Sequence, residues 1–216
     1  DLKEDKGDRD VWMTRWDGTQ SVRLTTSKSR ETTPRFSPDG KYLAFLSSRD
    51  DSEETDQVWL MNRAGGEAER ITDFKGGVED YAWSPDGARL AVVVYDPDPD
   101  ACDSGKEKCE EKTPKPIVID RYKFKLDETG YLGKRYDHLV LFDLAARKGE
   151  ALTSGEYDDM LPSWSPDGKQ IAFVSKRAKD PDRGDNWDLF VIEARAGAAP
   201  RQLTTFEGPD DAPEWS

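Results

Sequence analysis

The chain has 216 residues, 36% of them charged and 35% hydrophobic, and carries a formal net charge of −13. That length can bury a sizeable core, and the composition describes a soluble globular protein. Acidic and basic residues are interspersed, a balance that repels nucleic acid and anionic lipid and sets both aside as partners. No apolar run approaches the roughly 18 residues of a membrane span.

Residues 1–10 are a charged lead-in without pattern. From Val11 onward three signals recur in order. Val11-Trp12-Met13 is followed by Leu24-Thr25 and then by Phe36-Ser37-Pro38-Asp39-Gly40, which opens onto Lys41-Tyr42-Leu43-Ala44-Phe45. The set returns as Val58-Trp59-Leu60, Ile71-Thr72 and Trp83-Ser84-Pro85-Asp86-Gly87. It returns again as Leu139-Val140-Leu141, Leu152-Thr153 and Trp164-Ser165-Pro166-Asp167-Gly168, and last as Phe190-Val191-Ile192, Leu203-Thr204 and Trp215-Ser216. The aromatic stands 12 residues after each Leu or Ile (36−24, 83−71, 164−152, 215−203).

Ser-Pro-Asp-Gly is tight-turn chemistry: proline presets φ, and glycine reaches the left-handed region. Apolar alternation follows each turn, so each copy reads as a β-hairpin. Four short strands per repeat at this period predict an all-β fold, a β-propeller segment of four-stranded antiparallel blades. One propeller domain spans 1–216 on this reading. It holds the end of a first blade at 11–26, whole blades at 32–73, 79–154 and 160–205, and the start of a further blade at 212–216. The absent initial Met and the cut at Ser216 suggest a piece of a longer chain, and an isolated copy with bare sheet edges is expected to self-associate. A small closed four-bladed ring is disfavoured.

Length variation falls in the connection between the second and third strand of each blade, which emerges on one face. The largest insertion, 96–135, lies in the second whole blade. It opens with Asp96-Pro97-Asp98-Pro99-Asp100 and becomes β-like at Ile117-Val118-Ile119. From there Tyr122, Phe124 and Leu126 alternate with Arg121, Lys123 and Lys125, a pattern that predicts a hairpin with one apolar and one basic face. Cys102 and Cys109, the only cysteines, either close a small disulfide loop or stand as two thiols; the disulfide is preferred, and it favours an extracytoplasmic compartment over the cytoplasm. Asp96, Asp98, Asp100 and Glu107 match positions 1, 3, 5 and 12 of a calcium loop. Ala101 stands where the sharp turn needs glycine, so an acidic solvated turn is the better reading. No cofactor is expected.

Arg183-Gly184-Asp185 is read as a turn. Trp83, Trp164 and Trp215 recur at one repeat position and are read as packing blade against blade. His138, the single histidine, is a framework residue whose repeat equivalents are Asp10, Gln57 and Leu189. No Gly-x-Ser-x-Gly elbow or phosphate-binding glycine loop occurs, so no catalytic residue is assigned within this stretch.

The repeat resembles two groups, the periplasmic Tol-system propeller and the N-terminal propeller of prolyl oligopeptidase family serine peptidases. The insertion, Pro116-Ile117-Val118-Ile119-Asp120-Arg121-Tyr122-Lys123-Phe124-Lys125 with Gly130-Tyr131-Leu132-Gly133 and Asp137-His138-Leu139, followed by Asp158-Asp159, is similar to the acylaminoacyl-peptidase and dipeptidyl-peptidase branch. That resemblance implies a parent peptidase acting on short peptides near their N-terminus. Its α/β-hydrolase domain would carry the catalytic triad outside this stretch, and the propeller would cap and size-filter the pocket. Arg121, Lys123 and Arg135 are the residues that would face substrate. The alternative is a non-catalytic interaction propeller of the Tol type.

Overall fold

Each Ser-Pro-Asp-Gly stretch closes a hairpin by the same side-chain wiring. The Ser37 hydroxyl donates to Asp39 Oδ1 (2.7 Å), which also accepts the Lys41 amide (3.0 Å), while the Tyr42 amide donates to Ser37 Oγ (3.0 Å). Ser84 with Asp86 and Ser165 with Asp167 repeat it. Gly40, Gly87 and Gly168 sit at φ of 68°, 70° and 66°, a region where a side chain is strained. The serine hydroxyls hold the aspartates' carboxyls below the ordinary range, that of Asp39 at about 2.

The computed structural model describes residues 9–49, 55–98, 116–119, 121–126, 130–177 and 181–215. Strands β1 (Trp12–Thr14) and β2 (Ser21–Arg23) pair as the outer part of a first blade. The second blade is β3 (Glu31–Phe36), β4 (Tyr42–Ser47), β5 (Gln57–Asn62) and β6 (Glu69–Arg70), in that spatial order. The third is β7 (Val78–Trp83), β8 (Arg89–Tyr95), β11 (Asp137–Asp143) and β12 (Lys148–Ala151), with β9 (Lys125–Leu126) and β10 (Gly130–Tyr131) paired in its insertion. The fourth is β13 (Asp159–Trp164), β14 (Gln170–Ser175), β15 (Asp188–Glu193) and β16 (Arg201–Gln202). Every pairing is antiparallel. This is the all-β propeller segment that the repeat predicts.

The blades stack through their faces, which explains the continuous apolar runs. In β8, Leu90 and Val92 pack with Ala44, Leu46 and Val58 of the second blade. Ala91 and Val93 pack with Ile171, Phe173 and Phe190 of the fourth. Alternate residues of one strand thus enter two different cores, so period 2 persists but neither face is polar. The tryptophans stitch blade to blade. Trp83 Nε1 donates to Arg35 O (3.4 Å), Trp164 Nε1 to Ala82 O (3.1 Å) and Trp215 Nε1 to Ser163 O (3.0 Å). Trp215 takes this place although residues 212–215 form no strand.

The Leu-Thr signal is a strap between third and fourth strands. Thr25, Thr72, Thr153 and Thr204 accept the amides of Val11, Val58, Leu139 and Leu189 through Oγ1 (2.8–2.9 Å). The last strap spans one more residue than the others, because the turn after β15 is longer. The repeat equivalent of His138 is therefore Asp188 and not Leu189.

The insertion is less regular than expected. Residues 117–119 form no strand and are exposed, and among the described residues of the insertion pairing is confined to β9 and β10, beside which Phe124 stacks on Tyr131 (6.4 Å between ring centroids). Cys102 and Cys109, with Asp100 and Glu107, lie outside the described residues. Among the described residues there is no disulfide and no cysteine pair, so the extracytoplasmic placement that rested on one loses its basis and is withdrawn.

Candidate functional site

Connections between second and third strands, and from one blade to the next, leave on the same face because the strands alternate in direction. On that face a repeated ion pair appears in two blades. Arg49 Nη2 donates to Glu31 Oε1 (2.6 Å), and its guanidinium lies over Phe45 (5.1 Å) and Trp59 (4.9 Å). Arg177 Nη2 donates to both oxygens of Asp159 (2.8 and 2.9 Å) and lies over Phe190 and Tyr157 (both 5.2 Å). Both carboxylate side chains are fully buried. Each arginine stands 11 residues past its turn proline (49−38, 177−166).

The third blade breaks this rule. The same position is Asp96 (96−85), and the carboxylate position is Val78. Asp96 instead accepts the Tyr136 amide through Oδ2 (3.1 Å) and lies 3.5 Å from His138 Nε2. Acid accumulates around it. Asp137 opens β11, its amide donates to Asp158 Oδ1 (3.2 Å), and its own Oδ1 is buried without a hydrogen-bond partner. Burial first, and then Asp158, Glu79, Asp96 and Asp159, push its carboxyl up to about 7. Burial also raises Asp158 and Glu79, and Asp56 raises Glu79 further. Two half-buried carboxylates, Asp137 and Asp158, with the exposed Glu79 close by and little compensating charge, form a site that gains by taking up a cation.

Beside this group a cleft of about 630 Å³ opens between the insertion and the fourth blade, with Asp137, Asp158, Tyr157 and Trp187 in its wall. Arg121 and Lys123 also line it. Arg121 is committed to a strut: Nε and Nη2 donate to Asp182 (3.0 and 2.6 Å) and Nη1 to Gly133 O (3.0 Å). Asp182 lies in the short 3-10 turn Pro181–Arg183; Arg183 ends that turn, and Gly184 and Asp185 follow it without regular structure. Lys123 Nζ is 3.9 Å from Asp185. Arg135 lies apart from Arg121 and Lys123, donating through Nε to Asp96 O (2.8 Å) and covering Tyr95 (4.3 Å). The structure thus brings two of the three expected basic residues to the cleft, both facing acid. Sequence reasoning missed Glu79, Asp137 and Asp158 as a group; the Arg-to-Asp change at position 96 of the repeat was the available signal.

The calcium-loop reading is only half covered by the described residues, where Asp96 is already engaged by backbone and histidine. Among the described residues no group of three or more His, Cys, Asp or Glu is placed to hold a metal.

No family model matches the chain. An uncharacterized peptidase of Bacillus subtilis is 31% identical over 190 residues, 88% of this chain and 28% of the relative. The acylaminoacyl peptidase of Pyrococcus horikoshii superposes with a TM-score of 0.65 at 18% identity, over 95% of this chain and 29% of that one. TolB of Acinetobacter baumannii does so at 0.55 and 19%, over 90% and 37%. The chain therefore spans under a third of the length of the peptidases it matches. The resemblance read from the insertion holds: this is a propeller segment similar to those of peptidases.

Proposed function

We propose that this chain is the propeller of a serine peptidase that cleaves aminoacyl or dipeptidyl units from short peptides, capping a hydrolase site outside the stretch and filtering substrates by size. On this reading the cleft on the loop-bearing face lies along the peptide's path, and the carboxylates of Glu79, Asp137 and Asp158 receive its α-ammonium group. The carrying observation is the pair of poorly compensated, half-buried carboxylates of Asp137 and Asp158 in the cleft wall, with Glu79 exposed close by. An ammonium ion would lower their mutual repulsion and donate the hydrogen bonds they now lack, to the orphaned Oδ1 of Asp137 first.

The test is a comparison, on the parent protein, of free and N-acetylated forms of the same tetrapeptide, together with a folded protein substrate. Preference for the free form, lost in Asp137→Asn with kcat little changed, supports the assignment; equal KM for both forms in both proteins refutes it, and cleavage of the folded protein refutes the filter. The similarity to TolB favours a second reading, an interaction propeller without a hydrolase. Absence of any fluorophosphonate-reactive serine in the parent protein would select that one.

A further inference from the structure

The flank of the fourth blade ends in an acidic pair that the repeat itself interprets. Asp210 precedes Trp215 by five residues, as Glu31 precedes Phe36 and Asp159 precedes Trp164. Its amide donates to Trp187 O (2.8 Å) just as that of Glu31 donates to Arg9 O (2.8 Å) and that of Val78 to Asp56 O (2.7 Å). Asp210 is thus the first-strand carboxylate position again, and at the two other acidic examples an arginine fills it from two residues beyond a second strand.

Here no ion pair meets it among the described residues, and Asp210 Oδ2 is buried without a partner. Asp188 stands next to it at the position of Gln57 and His138. Only 6% exposed, Asp188 also has an unpartnered Oδ1, and the carboxylate of Asp210 adds to burial in raising its carboxyl. Asn186 Oδ1 is orphaned in the same way, while its Nδ2 reaches Asp188 Oδ2 at 3.4 Å. Asp188 Oδ1 and Asp210 Oδ2 are thus unpartnered buried acceptors on neighbouring carboxylates, the Asn186 amide and the Gln202 side chain reaching Asp188 alone, which is costly unless a cation completes the set.

We propose that Asp210 and Asp188 form a guanidinium socket, the docking point for an arginine presented by a further four-stranded sheet packed on the flank marked by Trp215. The choice of guanidinium follows from the two filled examples, where one planar cation both pairs with the carboxylate and lies against aromatic rings. A compact ammonium does not reproduce that geometry.

Carbon-detected NMR of the side-chain carboxyls tests it on the purified chain, with L-arginine amide as probe and L-lysine amide and calcium chloride as comparators. The Asp188 and Asp210 signals are expected to move saturably with arginine amide, about fivefold more tightly than with lysine amide. Asp210→Asn is expected to abolish the response and leave the Trp215 indole signal in place. Because its carboxylate is unpaired, that change should not lower thermal stability, whereas Asp159→Asn should. Arg177→Ala, which empties the Asp159 socket, gives the internal scale: arginine amide should restore part of its lost stability. No saturable shift at Asp210, equal response to lysine amide, or tighter binding of calcium overturns the proposal.

Discussion

Replacing Asp137 by Asn should stabilise the protein increasingly as pH rises above about 4. Asp137 has its folded-state carboxyl at about 7 against an ordinary 3.8. An acid whose pKa is raised by folding binds its proton more tightly in the native state, so the native state loses stability as pH rises from the unfolded value through the folded one. The window here runs from about pH 4 to about pH 8, with the penalty fully present above it. A shift of about three units corresponds to roughly 4 kcal/mol, at about 1.4 kcal/mol per unit, as a ceiling. Coupling to Asp158 and Glu79 spreads part of that over the group, leaving about 2 kcal/mol for one substitution. Urea denaturation of the wild type and Asp137→Asn at intervals from about pH 3 to about pH 9 measures it. The two stabilities should nearly coincide at about pH 3, below both values, and the variant should lead by about 2 kcal/mol at pH 8. Curves that stay parallel, or a wild type that gains relative to the variant with rising pH, would refute the assignment of uncompensated acid to this site.

Arg177→Ala leaves the fully buried Asp159 carboxylate unpaired and should cost about 3–5 kcal/mol by denaturant titration, against under about 1 kcal/mol for Arg195→Ala, whose pair with Glu193 is exposed. Phe173→Ala, in the core between third and fourth blades, should cost about 3–5 kcal/mol, read as a lowered melting temperature. Gly168→Ala forces a side chain to φ 66° and should cost about 1 kcal/mol by the same measurement, with the fold retained. The purified chain should show concentration-dependent self-association by sedimentation velocity, since Trp16, Phe206 and Leu203 are exposed on its outer blades; a strictly monomeric boundary at high concentration would count against open flanks.

What was legible in the sequence was local or strictly periodic. Ser-Pro-Asp-Gly encodes its own turn through contacts no more than five residues apart, and the Leu-Thr strap recurs because each blade needs the same bond. The register of β15 was misread by one residue since apolar neighbours such as Leu189 and Phe190 look alike, and only the strap reveals the longer turn after them. Ile117-Val118-Ile119 has strand composition, but strand propensity forms a strand only where a partner edge exists. The carboxylate group could not be read directly: Glu79, Asp137 and Asp158 come from three different elements, and their charge matters only once burial removes the water between them.

The blade that departs from the arginine rule is also the blade that carries the long insertion, and the two departures act together. In the second and fourth blades the arginine neutralises a buried acid and fills the space above two aromatic rings. The third blade has Val92 and Val140 at the ring positions and Asp96 at the cation position, so nothing there would hold a guanidinium in place. The chain leaving β8 is instead tied down by Arg135 on Tyr95 and the Asp96 carbonyl, and the insertion is braced across the cleft by Arg121 on Asp182. Those struts replace the mechanical role of the missing arginine without its charge at the blade's inner end. The outcome is a rigid frame around carboxylates that remain unneutralised, which is the condition under which an incoming cation gains most from binding there.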